Sequence, residues 1–108
     1  MNKYRNKKIT INGIKFDSQK EGARYCDLSA MEQAGIISDL ELQPRFQIVE
    51  RVKWNGKTLR TRSYVADFRY IHDGKKIVED VKGMRTNIYT LKRQIFLIKY
   101  PEYEFKEV

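Results

Sequence analysis

Residues 64–83 read YVADFRYIHDGKKIVEDVKG, and the pair Asp73-Gly74 near the middle decides how the rest is arranged. Asp-Gly between two alternating segments marks a two-residue hairpin turn, because both central residues of a type I′ turn need positive φ. With that turn the paired positions sum to 147, so Asp67 lies across from Asp80 and Val65 across from Lys82. The same register puts Phe68 with Glu79, and Ala66 with Val81, on the reverse side, since side chains alternate with period two. Asp80, not Glu79, is therefore the expected partner of Asp67. A slip of one residue would undo the pairing.

Two carboxylates directly opposite one another destabilise a sheet unless something offsets their charge. A hard divalent cation does so, and Mg²⁺ often binds through one or two carboxylates together with phosphate oxygens of a substrate. Lys82, one strand step beyond Asp80, is placed to hold or deprotonate an attacking water, or to offset charge growing on a phosphate. An Asp-x-Lys tripeptide by itself is equally compatible with a solvated surface pair of little energetic consequence. The register with Asp67 is what makes the stretch a candidate phosphodiesterase site.

Working outward, ITINGIKF (9–16) is a hairpin around Asn12-Gly13. Ser18-Gln19-Lys20-Glu21 has capping-box spacing, so a helix is expected from there to about Ala34, with Gly35 as its C-terminal cap. That helix carries a bulky stripe (Tyr25, Leu28, Met31) and a small one (Ala23, Cys26, Ala30), and periodicity alone leaves open which meets the core. Glu21 lies on the bulky side, where it is either a capping acid or part of a site. IISDLELQP is a connection or short strand. RFQIVERVKW, KTLRTRSYVADFRYIH and KKIVEDVKG then read as three strands of an antiparallel meander, joined by Asn55-Gly56 and Asp73-Gly74. From Thr86, Ile88, Leu91, Ile95 and Ile98 follow helical spacing up to Pro101, and Tyr103 to Glu107 alternate as a last strand. The expectation is an α+β fold, a mixed sheet containing an antiparallel meander and flanked by two main helices.

The chain has 108 residues, no internal repeat and no Pro/Gly/Ser linker, so residues 1–108 are read as one domain with 1–8 as a possible flexible basic arm. Its 22 Lys and Arg against 14 Asp and Glu give a net charge of +8, which points to a polyanionic partner. The single cysteine, Cys26, excludes an internal disulfide and a four-thiolate zinc site; it is read as a small buried hydrophobe, and a reducing cytoplasm is the expected compartment. With one histidine, His72, beside the Asp-Gly turn, neither a histidine-pair metal site nor a Ser/His/Asp triad can be built. The basic N-terminus is not followed by the apolar core of a signal peptide, and no membrane association or small-molecule cofactor is expected.

Glu21, Asp67 and Asp80-Val81-Lys82, in the order helix, strand, strand, helix, resemble the PD-(D/E)XK nuclease superfamily. SQKEGARYCDL, LELQPRF, YVADFRY and VEDVKG together look like a small group of phage and prophage proteins assigned to that superfamily, similar in layout to phage junction-resolving endonucleases. The likeness covers roughly residues 16–108, and departs from the superfamily name in having Ala66 where proline precedes the first acid. It implies a restriction-endonuclease-like core and Mg²⁺- or Mn²⁺-dependent endonucleolytic hydrolysis of DNA, with branched or junction DNA in phage recombination, replication or packaging as the expected substrate. It further implies that Asp67, Asp80 and the main-chain carbonyl of Val81 hold the metal. Glu21 would be a further acid, direct or through water, and Lys82 the catalytic lysine.

Candidate DNA contacts are Gln43, Lys92, Arg93 and the N-terminal Lys3, Arg5, Lys7 and Lys8, each also readable as an ordinary loop, helix-face or terminal residue. A homodimer is expected on functional grounds, since resolving a junction takes two symmetric cuts. Two rival readings stand beside the nuclease: a non-catalytic nucleic-acid-binding module or partner subunit on the same fold, and an RNA-binding domain using Tyr64, Phe68 and Tyr70 as exposed aromatics.

Overall fold

A computed structural model describes residues 7–81 and 85–108. The chain opens with the hairpin β1 (Ile9–Ile11) and β2 (Ile14–Phe16), closed by Asn12 and Gly13 at φ 51° and 79°. Helix α1 (Gln19–Gln33) begins at Ser18, whose hydroxyl accepts the Glu21 N–H at 3.1 Å. It ends in a Schellman motif: the Gly35 N–H donates to the Glu32 carbonyl and the Ile36 N–H to the Met31 carbonyl. The bulky stripe faces inward, with Leu28 buried and Tyr25 and Met31 packed against the core. The small stripe faces solvent, so Cys26 is exposed and not the buried hydrophobe its residue type suggested. At Gly22 the hairpin comes so close that a Cβ would stand 2.9 Å from side-chain carbons of Ile9 and Ile11.

The strands that follow are β3 (Ile37–Leu42), β4 (Arg45–Val49), β5 (Val52–Trp54), β6 (Lys57–Leu59), β7 (Arg62–Val65), β8 (Phe68–His72) and β9 (Lys75–Asp80). Helix α2 (Asn87–Lys99) and β10 (Glu104–Glu107) complete the fold. The central sheet is mixed, in the order β10-β9-β8-β3, with β10 parallel to β9 and the other pairs antiparallel. The architecture is α+β. Among the described residues, no helix is long and apolar enough to cross a membrane.

The expected three-strand meander is present only in part. The β8–β9 hairpin has the expected register, with every pair from Phe68↔Glu79 to His72↔Lys75 summing to 147. The segment 45–54, however, does not join this sheet: β4 pairs with β7, and β5 with β6. The third antiparallel member of the central sheet is β3. One ladder, in which positions sum to 110, runs from Glu41↔Arg69 and Leu42↔Phe68 into Arg45↔Val65 and Gln47↔Ser63. Between the two halves the ribbon bends, with Gln43 at φ 51° and Ala66 N–H donating to the carbonyl of Pro44. Proline has no N–H to give back, so the ladder is weakest at this bend.

The bend reverses which face even-numbered residues present. Tyr64 and Ala66 belong to the cluster under α2, with Phe46, Ile48, Val78, Tyr89 and Phe96. Phe68 and Tyr70 belong to the cluster under α1, with Phe16, Leu28, Ile37, Ile77 and Val81. Ala66 and Val81 therefore lie on opposite sides of the sheet, where an unbent strand would have put them on one; Val65 pairs with Arg45, and its expected partner Lys82 lies outside the described residues. Tyr64, Phe68 and Tyr70 are core side chains, at most 2% exposed. That removes the exposed aromatics on which an RNA-stacking surface was read.

Helix α2 starts at Thr86, whose hydroxyl accepts the Tyr89 N–H. Its core face is Tyr89 and Phe96, and Phe96 stacks on Tyr100 with ring centroids 5.2 Å apart. Of the aliphatic residues that marked this helix, Ile95 packs against the core, while Ile88, Leu91 and Ile98 point outward and are 68%, 61% and 71% exposed.

Candidate functional site

The acids singled out from sequence converge where β8 begins, β9 ends and α1 begins. Asp67 sits between β7 and β8, and its backbone is tied to both neighbouring strands. Its N–H donates to the Glu79 carbonyl at 3.1 Å, and its carbonyl accepts the Gln43 N–H at 2.9 Å. The paired ladder thus stops at Phe68↔Glu79, and Asp67 meets Asp80 just beyond its end instead of as a rung within it. One Asp67 carboxylate oxygen accepts the Val81 N–H at 2.6 Å. Asp80, the last residue of β9, is 1% exposed; its Oδ2 accepts a hydrogen bond from the Tyr64 hydroxyl, and its carbonyl accepts the Val108 N–H at 3.0 Å.

Electrostatics tie these groups together. Burial pushes the Asp67 carboxyl up to about 6, with the neighbouring Glu21 carboxylate adding to the rise, while the Val81 N–H and the Asp80 carboxyl pull it back. Burial and the bond to Asp80 push the Tyr64 phenol up as well, so it stays protonated and keeps donating. Glu21, in the first turn of α1, is thus an electrostatic neighbour of Asp67. Val81 is 8% exposed and fixed through its N–H. Lys82 lies outside the described residues.

Glu79, one residue before Asp80, points to the opposite face. Arg24 of α1 grips it with two parallel bonds, Nε to Oε1 at 2.8 Å and Nη2 to Oε2 at 2.6 Å, and the Tyr70 hydroxyl donates to it as well. Burial acts to raise this carboxyl, but Arg24 and Tyr70 prevail and hold it below its ordinary value. Glu79 is a structural acid, as the register from Asp73-Gly74 implied when it excluded Glu79 from the pair with Asp67.

The candidate DNA contacts are scattered. Gln43 is exposed and opposite Asp67, at the bend of the ribbon. Arg93 is committed to an internal tie: it donates to Glu107 at 2.7 Å and lies over the Tyr89 ring. With Arg85 the first of the donors and Tyr89 the next, the Glu107 carboxyl is held down to about 2. Lys92 is half-buried on α2, Lys7 and Lys8 are exposed, and Lys3 and Arg5 lie outside the described residues. Tyr64 and Arg24, which orient Asp80 and neutralise Glu79, were not legible as partners. Tyr64 reaches Asp80 only because of the bend at residues 66–67, and Arg24 is 55 positions from Glu79.

Among the described residues, no three His, Cys, Asp or Glu side chains stand in an arrangement that would hold a metal ion. The corner does bring together carboxylate oxygens, the donor type that hard cations prefer: Asp67 held by the Val81 N–H, Asp80 held by the Tyr64 hydroxyl, and Glu21 beside Asp67. Mg²⁺ needs no three-carboxylate cage, because it retains waters and takes the rest of its ligands from a phosphate substrate.

The fold and this corner define a small α+β domain with paired acids at the end of a mixed sheet. The chain belongs to the family described as "Protein of unknown function (DUF1064)", whose model matches residues 1–108. No curated protein and no solved structure matches it.

Proposed function

We propose that this protein is a metal-dependent DNA endonuclease with a restriction-endonuclease-like core of the PD-(D/E)XK type. The observation that carries the reading is the meeting of Asp67 and Asp80 at the end of the β8–β9 ladder, with Glu21 close enough to raise the Asp67 carboxyl. Burial and the Glu21 carboxylate disfavour ionisation of Asp67, and a divalent cation would relieve that. Asp67, Asp80 and the main-chain carbonyl of Val81 would hold Mg²⁺ or Mn²⁺, with Glu21 joining directly or through water. Bound there, the ion supplies a more acidic water and a counter-charge for the phosphoryl oxygens.

The chain's own residues set the stage for that chemistry. The Val81 N–H holds one oxygen of Asp67 and the Tyr64 hydroxyl one oxygen of Asp80. Orientation by fixed donors holds both carboxylates in place. Lys82, two positions beyond Asp80 in sequence, is the group we assign to positioning the water or offsetting phosphate charge. Branched DNA would call for two copies acting symmetrically. For that pairing we assign the outward face of α2, where Ile88, Leu91 and Ile98 stand exposed.

The test is cleavage of labelled four-way junction, flap, single strand and linear duplex in Mg²⁺, Mn²⁺ and EDTA, by wild type, Asp80→Asn and Lys82→Ala. Cutting by wild type only with metal, and binding without cutting by both variants, is the expected result. Binding by wild type with no cutting in either metal would favour the non-catalytic module.

A further inference from the structure

The bent ribbon does not end at β4 and β7. It continues into β5 and β6, paired Val52↔Leu59, Lys53↔Thr58 and Trp54↔Lys57 and closed by Asn55 and Gly56 at φ 51° and 70°. Every residue from 49 to 62 is exposed. A lone two-stranded ribbon is at best marginally stable in water, yet this one keeps large apolar side chains in solvent: Trp54 is 61% exposed, Val52 54% and Leu59 43%. The radius of gyration, 15.9 Å, exceeds the value of about 13 Å typical of a compact domain of this size, as a projecting arm requires.

Alternation sorts the ribbon's side chains. Val52, Trp54, Lys57 and Leu59 share one face, and Lys53 and Thr58 the other. Arg51, Lys53, Lys57, Arg60 and Arg62 stand against a single acid, Glu50, within residues 50–62. None of these five cations forms an ion pair with a described residue. Uncompensated like charge along a thin ribbon disfavours the ribbon, and a polyanion would reverse the sign of that effect. The major groove of duplex DNA is about 12 Å wide and admits a two-stranded β-ribbon with phosphates on both rims.

We infer that the β5–β6 ribbon is a DNA-binding arm that enters a groove of duplex DNA, with Arg51, Lys53, Lys57 and Arg60 on phosphates and Trp54 against the groove floor. It deepens the nuclease proposal by assigning the surface that grips the substrate, and it rests on that reading only for the identity of the polyanion. Cleavage and grip are separable, so each can fail without the other.

Trp54 is the only tryptophan in the chain, and its emission reports on the ribbon alone. In EDTA, where no cutting occurs, a 20-base-pair duplex is titrated into the protein while Trp54 emission and the anisotropy of labelled DNA are followed over a range of salt. The comparison variant is Lys53→Ala/Lys57→Ala/Arg60→Ala, whose positions are all exposed and leave the core intact. Quenching of Trp54 on binding is expected. The variant should bind at least tenfold more weakly, with a slope of log K against log salt shallower by about 2 to 3, as three lost phosphate contacts require.

Two outcomes overturn the inference, and a third separates it from the nuclease proposal. DNA binding that leaves Trp54 emission and the variant's affinity unchanged would place the grip elsewhere, and persistent metal-dependent cutting would then leave the nuclease proposal standing. A Trp54 response to protein concentration without DNA would make a second copy the occupant. Ribbon-dependent binding by a wild type that never cuts would uphold the arm and sink the nuclease.

Discussion

Glu79 and Asp80 are neighbours on β9, both sealed from solvent at 0% and 1% exposure, and they do opposite things. Glu79 turns toward α1, where the fork of Arg24 and the Tyr70 hydroxyl meet its charge and hold its carboxyl below the ordinary value. Asp80 turns toward α2, meets the Tyr64 phenol, and shares its corner with Asp67, whose carboxyl is pushed up to about 6. Burial is common to both acids, so burial does not mark function. The balance around each carboxyl differs: at Glu79 Arg24 and Tyr70 outweigh burial, whereas at Asp67 burial and Glu21 outweigh the Val81 N–H and Asp80, which under the proposed function a cation would relieve.

The sharpest way to break this contrast is to neutralise each corner in turn. Asp80→Asn is expected to lower the cutting rate by about 10³-fold, a loss of ~4 kcal/mol at the barrier, with little loss of stability. Arg24→Ala is expected to leave cutting per folded molecule intact. It should cost about 3 kcal/mol in urea unfolding, because it strands the Glu79 charge in the interior. If Arg24→Ala proved stable and inactive while Asp80→Asn unfolded, the roles of the two acids would be reversed.

Asp67→Asn sharpens the comparison further. In metal-free protein it should raise stability by about 1–2 kcal/mol at neutral pH, a value discounted because the group is partly exposed. The pH dependence has a defined sign. The Asp67 carboxyl is raised from 3.8 to about 6, so its cost is full above 6 and fades as pH falls toward 3.8. The gain from Asp67→Asn should fade over the same window in thermal melts. Glu79 behaves oppositely. Its carboxyl is lowered from 4.5, so its contribution is present above that value and is lost as pH falls through the lowered one. Glu79→Gln should therefore destabilise at neutral pH and matter progressively less in acid. The smallest effect expected is that of Tyr64→Phe, which removes one buried donor from Asp80 and should cost about 1 kcal/mol by urea unfolding.

Much of this contrast was legible in the sequence, for local reasons. Asp73-Gly74 set a register that the β8–β9 pairs follow, and so separated Asp80 from Glu79. Ser18 and Gly35 marked the ends of α1 through capping chemistry that depends on a few neighbouring residues. What was not legible depends on distant partners. The reversal of faces at Ala66–Asp67 follows from pairing with Gln43 and Pro44, a choice of strand partner that period-two alternation cannot make. On α2, the aliphatic stripe and the aromatic pair Tyr89 and Phe96 both keep helical spacing, and only the cluster of rings around Phe46 decides that the aromatics go inside. Exposure of Cys26 follows in the same way from α1 turning its bulky stripe inward.

The most direct measurement is Mn²⁺ binding, followed by loss of the free-ion electron paramagnetic resonance signal, in the presence of saturating uncleavable phosphorothioate duplex. Wild type, Glu79→Gln and Asp80→Asn are compared. Binding to wild type and Glu79→Gln, with at least tenfold weaker binding to Asp80→Asn, is expected if the Asp67–Asp80 corner is the metal site. Equal binding by all three proteins, or none by wild type, would contradict it.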